Sequence, residues 1–194
     1  MGVDVREVVK KVLTEYFNPR DEVHRKGIEL IVNNVEQGFK IIKNLVNEGY
    51  VVYPFKKPPY AVVLSGTASI PATLTAFVLA DMYGSNVKYV VTSYEVVEGK
   101  GGFRDSHEFL KNLKKIFNFD VVAVDFTNPV VGVDAQKLIT IIRESRGNIF
   151  ILQGGGFIRD FIILNMGCTR IAIPYPRDGK LIFYDLTQMI LTNV

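Results

Sequence analysis

Within this 194-residue chain, Ser65-Gly66-Thr67-Ala68-Ser69 holds three hydroxyls and a glycine between the apolar run Tyr60–Leu64 and an apolar helical pattern starting near Pro71. A turn of small residues after a strand and before a helix is where an α/β sheet commonly holds its ligand. Small side chains let a ligand approach the backbone. Free N–H groups and the helix dipole favour an anion there. Pro71, near the first helical position, costs nothing. Ser65, Gly66, Thr67 and Ser69 are therefore candidate ligand contacts, and the chemistry expected is recognition of a phosphate or another anion.

Three further stretches could take part. The segment Glu95–Asp105 is polar, carries both charge signs and includes Gly99, Gly101 and Gly102. It is expected to be a loop that closes over a ligand, with Glu98 and Gly99 at its turn and Lys100 and Arg104 meeting an anion. It lacks the Gly-Lys-Ser/Thr order of a P-loop. Asp125 ends an apolar strand, where a carboxylate needs partners; it would orient a sugar hydroxyl, act as a base, or cap the following turn. Gln153-Gly154-Gly155-Gly156 follows another apolar strand, and its glycines let backbone amides face a ligand or pack tightly. Position 159 is Arg, so the dinucleotide fingerprint is not completed. Cys168 reads as a buried thiol, and His107 as a lone histidine without a visible orienting partner.

Those residues need a sheet to hold them. Short β-branched runs at Val51–Pro54, Tyr60–Leu64, Val87–Thr92, Asp120–Asp125, Asn148–Leu152 and Thr169–Pro174 alternate with helical segments at Pro71–Met82, Ser106–Phe117, Asp134–Glu144 and Phe157–Leu164. The strands are continuously apolar, which requires cover on both faces. The expectation is an α/β, Rossmann-like, three-layer, mostly parallel sheet. Asp178-Gly179 predicts a turn into a last antiparallel strand over Lys180–Tyr184. Asp134 reads as the N-cap of its helix.

Residues 1–49 read as an N-terminal helical segment, and 50–194 as the α/β domain. Val5, Val8, Val9, Val12 and Tyr16 share one helical face. Asn18-Pro19 breaks that helix, and one longer helix is expected from about Asp21, which would cap it or lie in its first turn, to Gly49. Two apolar-striped segments on a small domain suggest a homodimer.

Composition narrows the classes. Apolar residues make up 48% of the chain, and its net charge is +3 without a block of like charges, so nucleic-acid binding is not indicated. No apolar run reaches the length of a membrane span. A single cysteine and two histidines offer neither a disulfide nor metal-ligand spacing. A cytoplasmic protein without cofactor or metal is expected, its partner a phosphorylated small molecule.

Taken in order, these motifs resemble the family of the alpha, beta and delta subunits of translation initiation factor two-B, whose relatives include methylthioribose-1-phosphate and ribose-1,5-bisphosphate isomerases. The family carries an N-terminal helical region and a Rossmann-like domain with strand-end motifs in a fixed order. Leu64–Ser69 here sits at the first, Val91-Thr92-Ser93 with Glu98-Gly99 at the second and Asp125 at the third. Gly154-Gly155-Gly156 sits at the fourth, and Asn165-Met166-Gly167 at the fifth. The resemblance spans about residues 25–175 and implies sugar-phosphate or nucleotide binding. The family's isomerases use a cysteine in the first motif and an aspartate in the fourth; Thr67 and Gly156 stand at those places. Their phosphate-gripping arginine has no clear counterpart, unless Lys100 or Arg104 substitutes. A non-catalytic, regulatory binding protein is therefore the leading expectation. Alternatives stand beside it. One is a purely structural subunit that kept the fold and lost the pocket. Another is a sugar-phosphate isomerase or lyase using Asp125 with Glu98 or His107. A third is a sensor similar to CARF domains, which bind cyclic oligoadenylates at a strand-Ser-Gly-Thr-helix loop.

Overall fold

The computed structural model describes residues 4–125, 133–153 and 170–186. The chain begins with three helices, α1 (Val5–Thr14), α2 (Glu22–Asn33) and α3 (Val35–Asn47). Each has a side-chain cap. Asp4 accepts from Arg6 N at 2.9 Å, and Asp21 from Val23 N at 2.8 Å, so that of the two places expected for Asp21 it takes the N-cap. The single helix expected from Asp21 to Gly49 is two. Asn34, at φ −139° and ψ 75°, ends α2 by donating its N–H to Leu30 O. Its side chain then accepts from Gln37 N at 3.0 Å and starts α3. One residue thus satisfies orphan groups of both helices.

The sheet follows, with β1 (Val51–Val52), β2 (Pro59–Leu64), β3 (Tyr89–Ser93), β4 (Asp120–Val124), β5 (Ile149–Ile151), β6 (Arg170–Arg177) and β7 (Lys180–Asp185). Its order is β1-β7-β6-β5-β2-β3-β4, and every pair is parallel except β6–β7. The β6–β7 hairpin turns at Asp178-Gly179, as expected, with Arg177 opposite Lys180. The first expected run, Val51–Pro54, shrinks to two residues pairing with β7 at the sheet's outer edge.

Between the strands lie α4 (Ile70–Met82), α5 (Tyr94–Glu98), α6 (Arg104–Leu113) and α7 (Val133–Glu144). α7 begins one residue before Asp134, which therefore lies in its first turn instead of capping it. Alternate strand residues face opposite layers. Val62, Leu64, Val90 and Ile151 join one buried cluster with α4, α6 and the N-terminal helices. Ala61, Val63, Val91 and Val122 join Leu138, Ile141 and Ile142 of α7 on the other face. The result is the three-layer α/β arrangement that continuously apolar strands require. Every residue of α4 from Ile70 to Ala80 is buried. α1–α3 place Val12, Ile31, Ile42 and Leu45 in the same cluster as α4. The apolar stripes that suggested a dimer are thus covered by the chain itself. Among the described residues, no helix is long and apolar enough to cross a membrane. The expected helix at Phe157–Leu164, and Cys168, lie outside the described residues.

Close helix packing makes one glycine indispensable. A Cβ on Gly27 of α2 would lie 2.5 Å from Val12 Cγ1 and 2.9 Å from the backbone oxygen of Val8 on α1. The valine rotamer can yield, but the carbonyl cannot without moving α1. Gly27→Ala should therefore cost about 1–3 kcal/mol, the overpacking range, despite its gain in helix propensity. Urea unfolding of the two proteins checks this, and an unchanged midpoint would contradict the crossing geometry.

Candidate functional site

Setting aside β1, the sheet runs β4-β3-β2-β5-β6-β7. This is the doubly wound order in which the chain winds outward from β2 in one direction, then returns to β5 on its other side. β3, the strand after β2, and β6, the strand after β5, lie on opposite sides of the β2–β5 pair, which is the arrangement that opens a crevice beyond the carboxyl ends of β2 and β5. The residues following β2 are Ser65–Ser69, and those following β5 begin at Leu152-Gln153. Topology therefore brings the first sequence motif and Gln153, which precedes the fourth, to one place. Gly154, Gly155 and Gly156 lie outside the described residues.

The Ser65–Ser69 turn is tied from within. Ser69, buried in the turn, accepts from Ser65 N at 3.0 Å and from Gly66 N at 3.1 Å, and its hydroxyl donates to Gly66 O at 2.6 Å. Two of the amides expected to face an anion are thus engaged by Ser69. A short 3₁₀ turn over Thr67–Ser69 follows, and the amides that open such a turn have no acceptor within it. Thr92 Oγ1 at the end of β3 donates to Leu64 O at 2.5 Å and fixes the point where β2 lets go. Gly66 is extended, at φ 177°, and a Cβ there would meet nothing within 4 Å. Neither backbone conformation nor packing demands this glycine.

The polar segment after β3 is not a loop. Ser93 caps α5 by accepting from Val96 N at 3.3 Å. Gly99, at φ +66°, ends α5 in the left-handed region. A 3₁₀ turn over Gly101–Phe103 leads into α6 at Arg104, two residues before the start expected from the sequence. Gly99 is required twice over, since a Cβ there would press on the His107 ring at 3.1 Å. His107 has an orienting partner after all: its Nδ1 donates to Val96 O at 3.0 Å and ties α6 to α5. Lys100 pairs with Glu98 at 2.6 Å, which holds its ammonium pKa above the ordinary lysine value. Lys100 thus already has a carboxylate partner, whereas Arg104 has none among the described residues. Asp125 lies just past β4, the edge strand, and is exposed instead of ending a buried run. The Thr127-Asn128-Pro129 turn lies outside the described residues.

Two clefts flank the turn. One, of about 420 Å³, lies between α2, α6 and the turn, and Thr67, Arg104 and Arg25 reach it with the carboxylates of Glu29, Asp105 and Glu108. Among the described residues neither arginine is ion-paired. The other, of about 300 Å³, is the switch-point crevice itself, reached by Ser65, Ser69, Gln153, Tyr16 and Tyr175. Gln153 lines this crevice, and its buried Oε1 has no hydrogen-bond partner among the described residues. Arg25, Tyr16 and Tyr175 carried no motif. Tyr16 was expected on the α1 stripe, but α1 stops at Thr14, and Tyr16 turns outward with its ring edge-on to Tyr175 at 5.0 Å. His24, also buried nearby, accepts from Asn18 N through Nδ1 at 2.8 Å, so its neutral form carries the proton on Nε2, 3.3 Å from Glu15. Both its nitrogens are in structural use. Among the described residues no group of three His, Cys, Asp or Glu could hold a metal ion.

Fold and clefts define a doubly wound α/β protein with a crevice at its topological switch point. The chain matches no protein-family model, no curated protein and no solved structure.

The internal bonding of the turn predicts the effect of a single hydroxyl. Ser69→Ala leaves the amides of Ser65 and Gly66 without their acceptor. Orphaned buried groups cost about 1–3 kcal/mol, so stability should fall by roughly 2 kcal/mol. Denaturant unfolding with amide hydrogen exchange at positions 65 and 66 reads this, and unchanged exchange would show the bonds to be dispensable.

Proposed function

We propose that this protein binds a phosphorylated sugar or nucleotide at the carboxyl edge of its sheet, with the Ser65–Ser69 turn between the two halves of the site. The observation that carries this reading is the doubly wound order, which sets that turn and Gln153 on the two sides of the switch point. Gly66 supports it: a glycine that neither conformation nor packing requires keeps the turn's surface open to a ligand. The phosphate belongs on the Thr67 side, where Arg104 and Arg25 have no ion-pair partner among the described residues. Guanidinium groups match phosphate geometry. Glu29, Asp105 and Glu108 weaken the field of that cleft, so loss of either arginine is felt strongly. Lys100, held by Glu98, is a minor contributor.

The role proposed is binding and regulation without turnover. Thr67 stands where the isomerases that the motif order resembles need a cysteine, and a threonine supplies no thiolate.

Two outcomes are expected. Ribose 5-phosphate or adenosine monophosphate at millimolar concentration should raise the melting temperature by mass action. Arg104→Ala should weaken that binding by about 1–3 kcal/mol, the range for charge-assisted hydrogen bonds, while Lys100→Ala changes it far less. A screen of phosphorylated compounds without any thermal shift would remove the reading. Neither ribose 1,5-bisphosphate nor methylthioribose 1-phosphate should be isomerised. Turnover of either, lost in Thr67→Val, would show the site to be catalytic.

A further inference from the structure

The two clefts beside the Ser65–Ser69 turn differ in chemistry. The Thr67 side has two arginines. The switch-point crevice has none among its described lining residues, and no lysine; its one charged residue is Glu15. A phosphate has little to gain there. What the crevice offers is apolar surface from Leu13, Ile173 and Pro174, the tyrosine pair, and an amide. Tyr16 and Tyr175 are 56% and 47% exposed, although their rings pack edge to face at 5.0 Å and 84°. Tyr175 sits on β6 between Pro174 and Pro176, so a stiff backbone holds it. Exposed rings on a rigid support make a stacking platform for any flat π-system. Gln153 then supplies what stacking lacks. Its buried Oε1 has no partner among the described residues, and a turn of the side chain toward the crevice would give it an exocyclic amine to accept from. A pentose, with hydroxyls all round, would leave both the apolar wall and the rings without a matching face.

We propose that the switch-point crevice receives the base of a nucleotide, the base lying against Tyr16 and Tyr175 with its edge at Gln153. This rests on the binding reading above and narrows it: the ligand is a nucleotide and not a plain sugar phosphate. The phosphate stays on the Thr67–Arg104 side, and the ribose crosses Gly66, whose Cβ position has no atom within 4 Å, beside Phe17, which lines both clefts.

The test is calorimetric titration of the full chain with the four common nucleoside monophosphates, the four nucleosides, ribose 5-phosphate and inorganic phosphate. At least one nucleotide should bind tenfold or more tighter than ribose 5-phosphate, and its nucleoside should bind by itself. Tyr175→Leu should remove that tenfold advantage and leave ribose 5-phosphate unaffected, while Tyr175→Phe retains it. Gln153→Leu should lower the affinity for the preferred nucleoside alone. Saturation-transfer NMR on the unaltered chain should show contact at the base protons, which decides the matter even if the Tyr175→Leu protein fails to fold. The inference is overturned if ribose 5-phosphate binds as tightly as every nucleotide, or if folded Tyr175→Leu keeps full nucleotide affinity. In that case the binding function stands without it. A nucleoside that binds while no phosphorylated compound does better would instead overturn the phosphate reading and leave this one intact. A chain that binds none of these compounds overturns both.

Discussion

Complete burial of α4 is the constraint on which the rest of the structure depends. Its residues Ile70–Ala80 have neighbours on every side: β2 beneath, and the N-terminal helices above. A helix apolar all round cannot stand at the surface of a sheet. The three N-terminal helices therefore serve as the outer cover of the central crossover. That position also makes them part of the site. The ends of α1 and α2 deliver Tyr16 and Arg25 to the two clefts, so the covering layer and the ligand-facing layer share residues.

The turn between β2 and α4 illustrates how hydrogen-bond demand limits recognition. Each backbone donor in a tight turn needs an acceptor. Ser69 fills that need for two of them from inside the turn. A Ser/Thr-rich turn thus keeps its shape with or without a ligand, and selectivity passes to the side chains around it. This differs from a P-loop, whose successive amides point at the phosphate.

Much of the fold was legible in the sequence because its signals are local. Continuously apolar strands, the Asp21 cap and the Asp178-Gly179 hairpin act within a few residues. The break at Asn34 was legible too, in an Asn followed three residues later by Gln37, but the unbroken apolar stripe on both sides outweighs it when periodicity alone is read. The segment Glu95–Asp105 looks like a loop because of its glycines and charges. Gly99 in fact terminates one helix, and a new one starts five residues later, so glycine there punctuates helices instead of dissolving them. The tyrosine pair could not be read at all. Tyr16 and Tyr175 meet only because the sheet order brings β6 beside the end of α1, and no local pattern encodes strand order. Arg25 was hidden for a similar reason: on a helix it is one charge among several until α6 lies opposite.

The double duty of Asn34 bears on how this chain can change in length. With about 100° of rotation per helical residue, inserting or deleting one position at the junction would turn α3 about its axis. Ile42 and Leu45, both fully buried, would then point away from α4. Loops elsewhere can drift in length, since the closure cost grows slowly, but this join has no slack to absorb a frame change. Among the described segments, the α2–α3 boundary is thus the place where the spacing of residues matters more than their identity.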